Sequence, residues 1–258
     1  MKWPEYVMFM RHDTTPYNLL KRQKEVDPLY QRFVLEYDAN PESARCKDLA
    51  LMVWNKYRFD VGDHNTPLVD SEAKLATKVG ESLRKIEQLP DLIYISPYDR
   101  AHATLNGLIA GWPELAEVKC REEERIREQE HGLAILYSDW RVFFVLHPEQ
   151  RLLYEMQGPY WYRYSQGENV PDVRMRNRDW ISTLIRDYAG KKVLAITHHL
   201  NILALRANLE RLDAEEFIRL DEEEKPINCG ITKYVGVPSE GKNGRLKLDY
   251  YNRDFSGR

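Results

Sequence analysis

The sequence predicts an α/β fold with a mainly parallel central sheet. Three short apolar runs, at residues 6–10, 92–96 and 193–197, are each bounded by polar or turn residues and show no alternation. Continuous runs of this length are typical of strands that are buried on both faces of a parallel sheet. Segments with helical periodicity lie between the runs. Strands that alternate with helices in this way indicate parallel strands joined by crossover helices.

Helices are predicted over residues 70–89, 100–109, 172–188 and 200–209. The first has apolar side chains at the three- and four-residue spacing of one helix face, and Asp70 or Ser71 caps its start. Near the end of the chain, two further strand-like runs at residues 231–237 and 246–251 flank a polar loop that contains Gly, Ser and Asn. This pattern predicts a terminal hairpin.

Two segments look like additions to this plan. Residues 19–60 are mostly charged with a helical pattern, and residues 137–164 contain nine aromatic side chains. The chain has no internal repeat, low-complexity tract or Gly/Ser linker, so the prediction is a single domain over residues 1–258 with two insertions. The aromatic residues of the second insertion predict either a small separate core or a lid over the functional site.

Composition excludes several classes of protein. The 258 residues include 38 Lys and Arg against 41 Asp and Glu, for a formal net charge of −3. This balance argues against a general nucleic-acid binder. No apolar run is long enough to span a bilayer and no signal peptide is recognised, so no membrane partner and a cytoplasmic location are expected. Three widely spaced cysteines form neither a disulfide framework nor a zinc motif.

Basic residues follow each of the three strongest strands. Arg11 and His12 come after the first, Arg100 shortly after the second, and His198 and His199 after the third. Each feature alone is typical of a surface pair or a helix start. However, ligands of open parallel sheets bind beyond the carboxyl ends of the strands, and all three lie there. Arginine suits bidentate anion recognition, so the sequence predicts a phosphate or carboxylate site at this edge.

The same regions carry six ordered motifs. They are RHDTTPYN at 11–18, TPL at 66–68, SPYDRA at 96–101, RIREQEHG at 125–132, GENVPDVRMR at 167–176 and ITH at 196–198. In order and spacing they resemble the histidine phosphatase superfamily, which includes phosphoglycerate mutases, and most closely its branch of broad phosphatases. The resemblance implies a phosphoglycerate mutase-like fold, a three-layer αβα sandwich with helical insertions.

The resemblance also implies an activity and roles for individual residues. The activity is metal-independent and cofactor-free hydrolysis of a small phosphorylated metabolite through a phosphohistidine. One group of residues would do the chemistry: His12 as nucleophile, Glu128 as proton donor and base, and His198 as charge stabiliser. A second group would bind the phosphoryl group: Arg11, Arg100, Asn18 and Thr15.

Two alternatives to a phosphatase stay open. A phosphoglycerate mutase is one, although the stretch between Arg100 and Arg125 is short, acidic and lacks the mutases' Glu-Arg-x-Tyr-Gly segment. A weakened relative that only binds phospho-ligands is the other, because Asp13 and His199 stand where the family usually has Gly. We expect Asp13 either to pair with His199 or to face a local partner of its own. The aromatic insertion also leaves a homodimer open.

Overall fold

The computed structural model describes residues 2–58, 60–71 and 73–258. The strands are β1 (Tyr6–Arg11), β2 (Leu92–Ile95), β3 (Cys120–Glu122), β4 (Lys192–Thr197), β5 (Ile231–Val237) and β6 (Arg245–Arg253). The helices are α1 (Pro16–Glu25), α2 (Pro28–Ala39), α3 (Ala44–Tyr57), α4 (Lys74–Ile86), α5 (Asp99–Gly111), α6 (Trp140–Leu146), α7 (Pro148–Trp161), α8 (Val170–Asp187), α9 (His199–Glu210) and α10 (Ala214–Glu223). None of the described helices is long and apolar enough to cross a membrane.

The contacts divide the chain into two compact units. The first, here called the sheet unit, comprises Met1–Thr14, His64–Glu128 and Pro171–Arg258. The second, here called the helical unit, comprises Thr15–Asp63 and Gln129–Val170. The prediction of one domain over residues 1–258, with insertions at 19–60 and 137–164, stays a prediction.

The sheet unit is built on a six-stranded sheet in the order β3-β2-β4-β1-β5-β6. The first four strands of this order are mutually parallel, whereas β5 runs antiparallel to β1 and pairs with β6 as a hairpin. The predicted α/β class, the mainly parallel sheet and the terminal hairpin are therefore confirmed. In the register of the central pair, Arg11 lies opposite Thr197, so the carboxyl ends of β1 and β4 are level.

Helices cover both faces of this sheet. Along β1, Tyr6, Met8 and Met10 join one buried cluster with residues of α4 and α5, while Val7 and Phe9 join another with residues of α8 and α9. The alternation follows from the two-residue period of a strand. Burying one such large apolar side chain stabilises a fold by about 1.5–3 kcal/mol, so the two layers hold β1 firmly in register. The arrangement is the predicted three-layer sandwich.

The backbones of α4 and α5 lie in direct contact. A Cβ atom placed on Gly80 would overlap the main-chain oxygen of Leu108, and one on Gly111 would overlap the main-chain oxygen of Thr77. Only glycine allows so close an approach. This packing fixes the C-terminal half of α5, the helix that carries Arg100 in its first turn.

The helical unit has its own core. Phe33 and Val53 pack with residues of α6, and Phe143, Phe144 and Tyr162 form an adjoining aromatic cluster. Of the nine aromatic side chains of residues 137–164, seven lie in or against these clusters or are themselves buried, as expected if the insertion forms a small separate core. These seven are Tyr137, Phe143, Phe144, Tyr154, Tyr160, Tyr162 and Tyr164.

A buried ion pair also ties the helical unit together. Lys24 Nζ lies 2.7 Å from Asp139 Oδ2, and both side chains are almost fully buried. The hydroxyl of Tyr30 donates to the same carboxylate oxygen at 2.7 Å. Removing one partner of such a pair leaves an uncompensated charge, so these three residues fix α1, α2 and the start of α6 relative to one another.

Candidate active site

The two histidines predicted for the site lie side by side. His12 directly follows β1 and His198 directly follows β4, and the parallel register of these strands brings their ring centroids to 5.1 Å. The main-chain N–H of His12 donates to the Thr197 oxygen at 2.9 Å, which continues the ladder beyond the last strand pair. Both rings are buried. The edge of the sheet therefore gathers these groups as the strand pattern predicted.

The hydrogen bonds of His12 define its tautomer. Its Nδ1 lies 2.6 Å from the main-chain oxygen of Asp13. A carbonyl oxygen can only accept a hydrogen bond, so Nδ1 carries the proton and Nε2 keeps its lone pair. Burial lowers the pKa of His12 well below its usual value, and the charges of Arg100 and Arg11 lower it further. The ring is thus neutral, as a nucleophile must be.

His198 is held between Arg100 and the end of β2. Arg100 Nε donates to His198 Nδ1 at 3.3 Å, and His198 Nε2 lies 2.7 Å from Ser96 Oγ. Since the guanidinium only donates, Nε2 carries the ring proton and points it at Ser96. Burial, followed by the charge of Arg100, lowers the pKa of His198 well below its usual value. Tyr98 supports this pair, with its ring 4.6 Å from the Arg100 guanidinium carbon and 5.0 Å from the His198 ring.

Arg11 is the second guanidinium of the site. Its Nη1 donates to the main-chain oxygen of Pro226 at 2.6 Å, which anchors one side of the fork. Its Nε is buried and has no hydrogen-bond partner among the described residues. Burial lowers the pKa of Arg11, and the nearby Glu128 carboxylate opposes that shift. An anchored guanidinium with a buried, unused N–H is suited to bind an incoming anion.

The carboxylate of Glu128, a residue of the loop after β3, contacts the first turn of α9. Its Oε2 accepts a weak hydrogen bond from the main-chain N–H of Leu200 at 3.4 Å. Leu200 is two residues beyond His198, so this contact places the Glu128 carboxylate at the same end of β4 as His198. A carboxylate at a helix N-terminus also faces the positive end of the helix dipole.

A set of side chains holds the segment that carries Glu128. Arg176 donates to the main-chain oxygens of Arg125 and Glu128, at 2.7 and 3.0 Å. Thr197 Oγ1 lies 2.6 Å from the Ile126 oxygen. Buried Asn201 donates to the Arg127 oxygen at 3.2 Å and to Asn177 Oδ1 at 2.9 Å. Four consecutive carbonyls are therefore fixed by α8, β4 and α9, which sets the position of the carboxylate.

Of the two alternatives for Asp13, the pairing with His199 is wrong and the local partner is correct. The Asp13 carboxylate accepts from the main-chain N–H groups of Thr14, at 2.5 Å, and Ala76, at 3.2 Å. His199 Nε2 instead lies 2.7 Å from Asp221 Oδ1. Each side chain faces its own local partner, because the backbone turns away at the end of β1 and Asp13 points toward the start of α4.

Thr15 and Asn18 belong to the helical unit. Thr15 caps α1: its hydroxyl accepts from the Asn18 N–H at 3.4 Å, and Asn18 Oδ1 accepts from the Thr15 N–H at 3.0 Å. This capping box satisfies two N–H groups of the helix start. The predicted contact of Thr15 and Asn18 with a phosphate stays a prediction.

Several residues of the site had no predicted role. Ser96 and Tyr98 belong to the SPYDRA motif, yet their contacts with His198 and Arg100 were not foreseen. Asn228 lies outside the six motifs, and its side chain donates to the main-chain oxygen of His12. The sequence signal that could have indicated Ser96 is its position, because it directly follows β2. Within the described ranges, no group of three or more His, Cys, Asp or Glu side chains is placed to hold a metal ion.

Comparison with known proteins fits this geometry. The sequence model of the histidine phosphatase superfamily (branch 1) matches residues 51–235, well over half of the chain. This chain belongs to the histidine phosphatase superfamily. The matched stretch contains Arg100, Glu128 and His198, while His12 precedes it.

Individual proteins are similar to this chain in sequence or in fold. The phosphoglycerate mutase-like protein AT74H of Arabidopsis thaliana is 30% identical over 135 residues, 48% of this chain and 46% of that protein. The chain thus matches about half the length of this relative.

A mycobacterial glucosyl-3-phosphoglycerate phosphatase, solved with inorganic phosphate, has 20% identity, a TM-score of 0.62, and coverage of 98% of this chain and 99% of its own. A phosphoserine phosphatase of Entamoeba histolytica, solved with 3-phosphoglyceric acid, has 16% identity, a TM-score of 0.61 and 96% coverage of both chains.

Proposed function

We propose that this chain is a metal-independent phosphatase that hydrolyses a small phosphomonoester through a phosphohistidine at His12. The observation that carries the proposal is the tautomer of His12. Its Nδ1 proton is held by the Asp13 oxygen, which leaves a lone pair on Nε2 beside two arginines. A neutral nucleophile among fixed positive charges is what phosphoryl transfer requires, since positioning and charge stabilisation dominate its catalysis.

In the first step, His12 Nε2 attacks phosphorus and the bond from phosphorus to the ester oxygen breaks. Arg11 and Arg100 bind the equatorial oxygens and stabilise their charge. Glu128 gives its proton to the leaving oxygen, which departs as an alcohol. For His198 to donate to the phosphoryl group, a phosphoryl oxygen replaces Ser96 as the partner of Nε2, because Nε2 carries the ring proton and Nδ1 accepts from Arg100.

In the second step, water hydrolyses the phosphoenzyme. The Glu128 carboxylate takes a proton from the water as its oxygen attacks phosphorus, and the P–N bond breaks to restore neutral His12. Inorganic phosphate leaves and Glu128 is again protonated. The network of Arg176, Thr197 and Asn201 on the 125–128 segment supports this double role, because it keeps the carboxylate in one place for both proton transfers.

The similar proteins favour phosphomonoesters as substrates. Two fold neighbours are named as phosphatases of glucosyl-3-phosphoglycerate and of phosphoserine, both small polar monoesters. The Arabidopsis relatives are named as phosphoglycerate mutase-like, which keeps a mutase as the second candidate. The short acidic stretch before Arg125 favours hydrolysis. A cytoplasmic location and a homodimer stay predictions.

The test is a set of assays for phosphate release in the presence of a chelator. The panel contains phosphorylated sugars, phosphoserine, 3-phosphoglycerate and nucleoside monophosphates, and 3-phosphoglycerate isomerisation is followed in parallel. The proposal predicts phosphate release from at least one small monoester, its loss in His12→Asn, and no isomerisation. Isomerisation that exceeds phosphate release, or release that persists in folded His12→Asn, would contradict it.

A further inference from the structure

A cavity of about 850 Å³ lies at the ends of the strands opposite to those that carry His12 and His198. Trp3, which precedes β1, lines it together with Gly244 and Arg245 at the start of β6. Because β5 is antiparallel to both β1 and β6, these two strands run in the same direction. The cavity is therefore at the amino ends of the parallel strands, about 20 Å, the length of a six-residue strand, from the catalytic edge.

Four arginines line this cavity. Arg174 and Arg178 lie one turn apart on α8, Arg211 follows α9, and Arg245 begins β6. The lining contains a single acidic residue, Glu240. The local charge is thus strongly positive, although the whole chain has a formal net charge of −3. Such a concentration in a concave surface attracts anions.

Arg174 has a structural task. It donates to the main-chain oxygens of Ala207 and Leu212, at 3.1 and 3.0 Å, and to Asn208 Oδ1 at 3.3 Å. These groups surround the C-terminal end of α9, whose dipole would otherwise repel an anion. The positive charge of Arg174 offsets the partial negative charge at the C-terminal end of α9. The charges of the other three arginines are therefore available to an anion in the cavity. Glu240 is likewise engaged by Lys247 Nζ at 2.5 Å.

The other three arginines have no such task. Arg178, Arg211 and Arg245 are exposed, and their side chains make no hydrogen bond or ion pair with any residue that the structure describes. Arg211 also has a φ of 64°, a conformation at a helix end that glycine usually provides. Three uncompensated guanidinium groups around one cavity repel each other, and a bound anion would relieve that repulsion.

The floor of the cavity is apolar. Ile181, Leu209 and Leu246 line it beside the half-buried indole of Trp3. Apolar walls with a few charged groups at the rim are typical of sites for small organic ligands. We propose that this cavity binds a small organic anion: a ring or other apolar body that carries two or more phosphate or carboxylate groups. The body would lie against Trp3, and the anionic groups would contact Arg178, Arg211 and Arg245.

The proposal is tested with ADP as the probe, by titration calorimetry on the full chain at physiological salt. The test variant is Arg178→Ala/Arg245→Ala, whose side chains have no partners to lose, so folding is retained. The controls are Arg219→Ala, an exposed arginine on α10 that does not line the cavity, and Arg100→Ala at the catalytic edge. Pyrophosphate and adenosine report separately on the anionic and the ring parts of the probe.

We expect the double variant to bind ADP more weakly by roughly tenfold or more, while both controls keep the affinity of the unmodified chain. ADP should bind more tightly than pyrophosphate or adenosine. The proposal is overturned if the intact chain does not bind ADP, or if Arg100→Ala loses binding that the double variant keeps. Equal affinity for pyrophosphate and ADP would contradict the organic character of the ligand.

Discussion

The Nδ1 atom of His12 lies 2.6 Å from the main-chain oxygen of Asp13, the residue that follows it. The acceptor that fixes the nucleophilic tautomer is therefore part of the backbone at the end of β1. Asn228 donates to the same Asp13 oxygen at 3.2 Å and to the His12 oxygen at 3.0 Å, which holds this turn in place. The side chain of Asp13 is not needed for the tautomer, although it stands where the family usually has Gly.

The first prediction concerns this side chain. Asp13→Asn and Asp13→Gly should keep kcat/KM within a few-fold of the unmodified chain, because the main-chain oxygen remains. Asp13→Gly should lower the free energy of unfolding by about 1–3 kcal/mol, since the part-buried N–H of Thr14 and the buried N–H of Ala76 lose their acceptor. Steady-state kinetics and urea unfolding measure both effects. A gain in kcat/KM of about tenfold in Asp13→Gly would instead support the alternative that Asp13 weakens catalysis in this chain. A tenfold gain corresponds to a decrease of about 1.4 kcal/mol in the activation free energy.

The second prediction concerns Glu128. With para-nitrophenyl phosphate, whose leaving group needs no proton, Glu128→Gln should form the phosphoenzyme but hydrolyse it slowly. Stopped-flow absorbance should then show a burst of one nitrophenol per active site, followed by a steady rate lower by roughly 10²–10⁴-fold. The matched control is Glu124→Gln, four residues earlier, whose exposed side chain has no partner in the part of the chain described. A normal steady rate in Glu128→Gln would remove this residue from the mechanism.

The third prediction concerns Thr197, which contacts the 125–128 segment but not the reacting atoms. Thr197→Val keeps the side-chain shape and removes the hydrogen bond to the Ile126 oxygen. We expect the same burst as in Glu128→Gln with a smaller loss of steady rate, and little change in KM, because Arg11 and Arg100 are untouched. A loss that appears only in KM or only in stability would show that Thr197 acts as packing alone.

The fourth prediction concerns pH. Burial together with the charges of Arg100 and Arg11 lowers the pKa of His12, and burial with Arg100 lowers that of His198. In the unfolded chain both rings titrate near pH ~6.5. Below that pH the unfolded chain binds protons that the folded chain does not. Stability should therefore fall as the pH decreases from about 6.5, by up to about 1.4 kcal/mol per pH unit for each ring.

Urea unfolding at several pH values measures this slope. His12→Asn should lose the contribution of one ring, so its free energy of unfolding should depend less steeply on pH between about 6.5 and 5. His102→Asn is the control, because the half-exposed His102 lies outside the site and pairs with Glu122 on the surface. An unchanged slope in His12→Asn would mean that the ring is charged in the folded state.

The parts of the fold with a strong sequence pattern could be predicted from the sequence. The runs that became β1, β2 and β4 are buried on both faces, and such strands have a continuous apolar signal. By contrast, β3 spans only Cys120–Glu122, is exposed throughout and lies at the sheet edge, so no hydrophobic pattern marks it. In residues 19–60 the helices were predicted, yet Leu35 and Met52, which contributed to the pattern, are exposed.

The site shows the same division. Position after a parallel strand was enough to bring His12, Arg100 and His198 together. It did not give the direction of a side chain: two alternatives stayed open for Asp13, because the direction depends on where the backbone turns and on which N–H groups lie nearby. The hydrogen bonds from Arg176 and Asn201 to the 125–128 segment likewise join residues that are far apart in sequence, and no local spacing predicts them.

The most direct test of the account is to locate the phosphoryl group. Glu128→Gln is mixed with para-nitrophenyl phosphate, denatured in alkali within the burst, and mapped by peptide mass spectrometry. The proposed mechanism predicts one phosphoryl group on His12, stable in alkali and lost in acid, and none in the Glu128→Gln/His12→Asn double variant. A burst of nitrophenol with the phosphoryl group on another residue, or with no phosphoprotein at all, would contradict it.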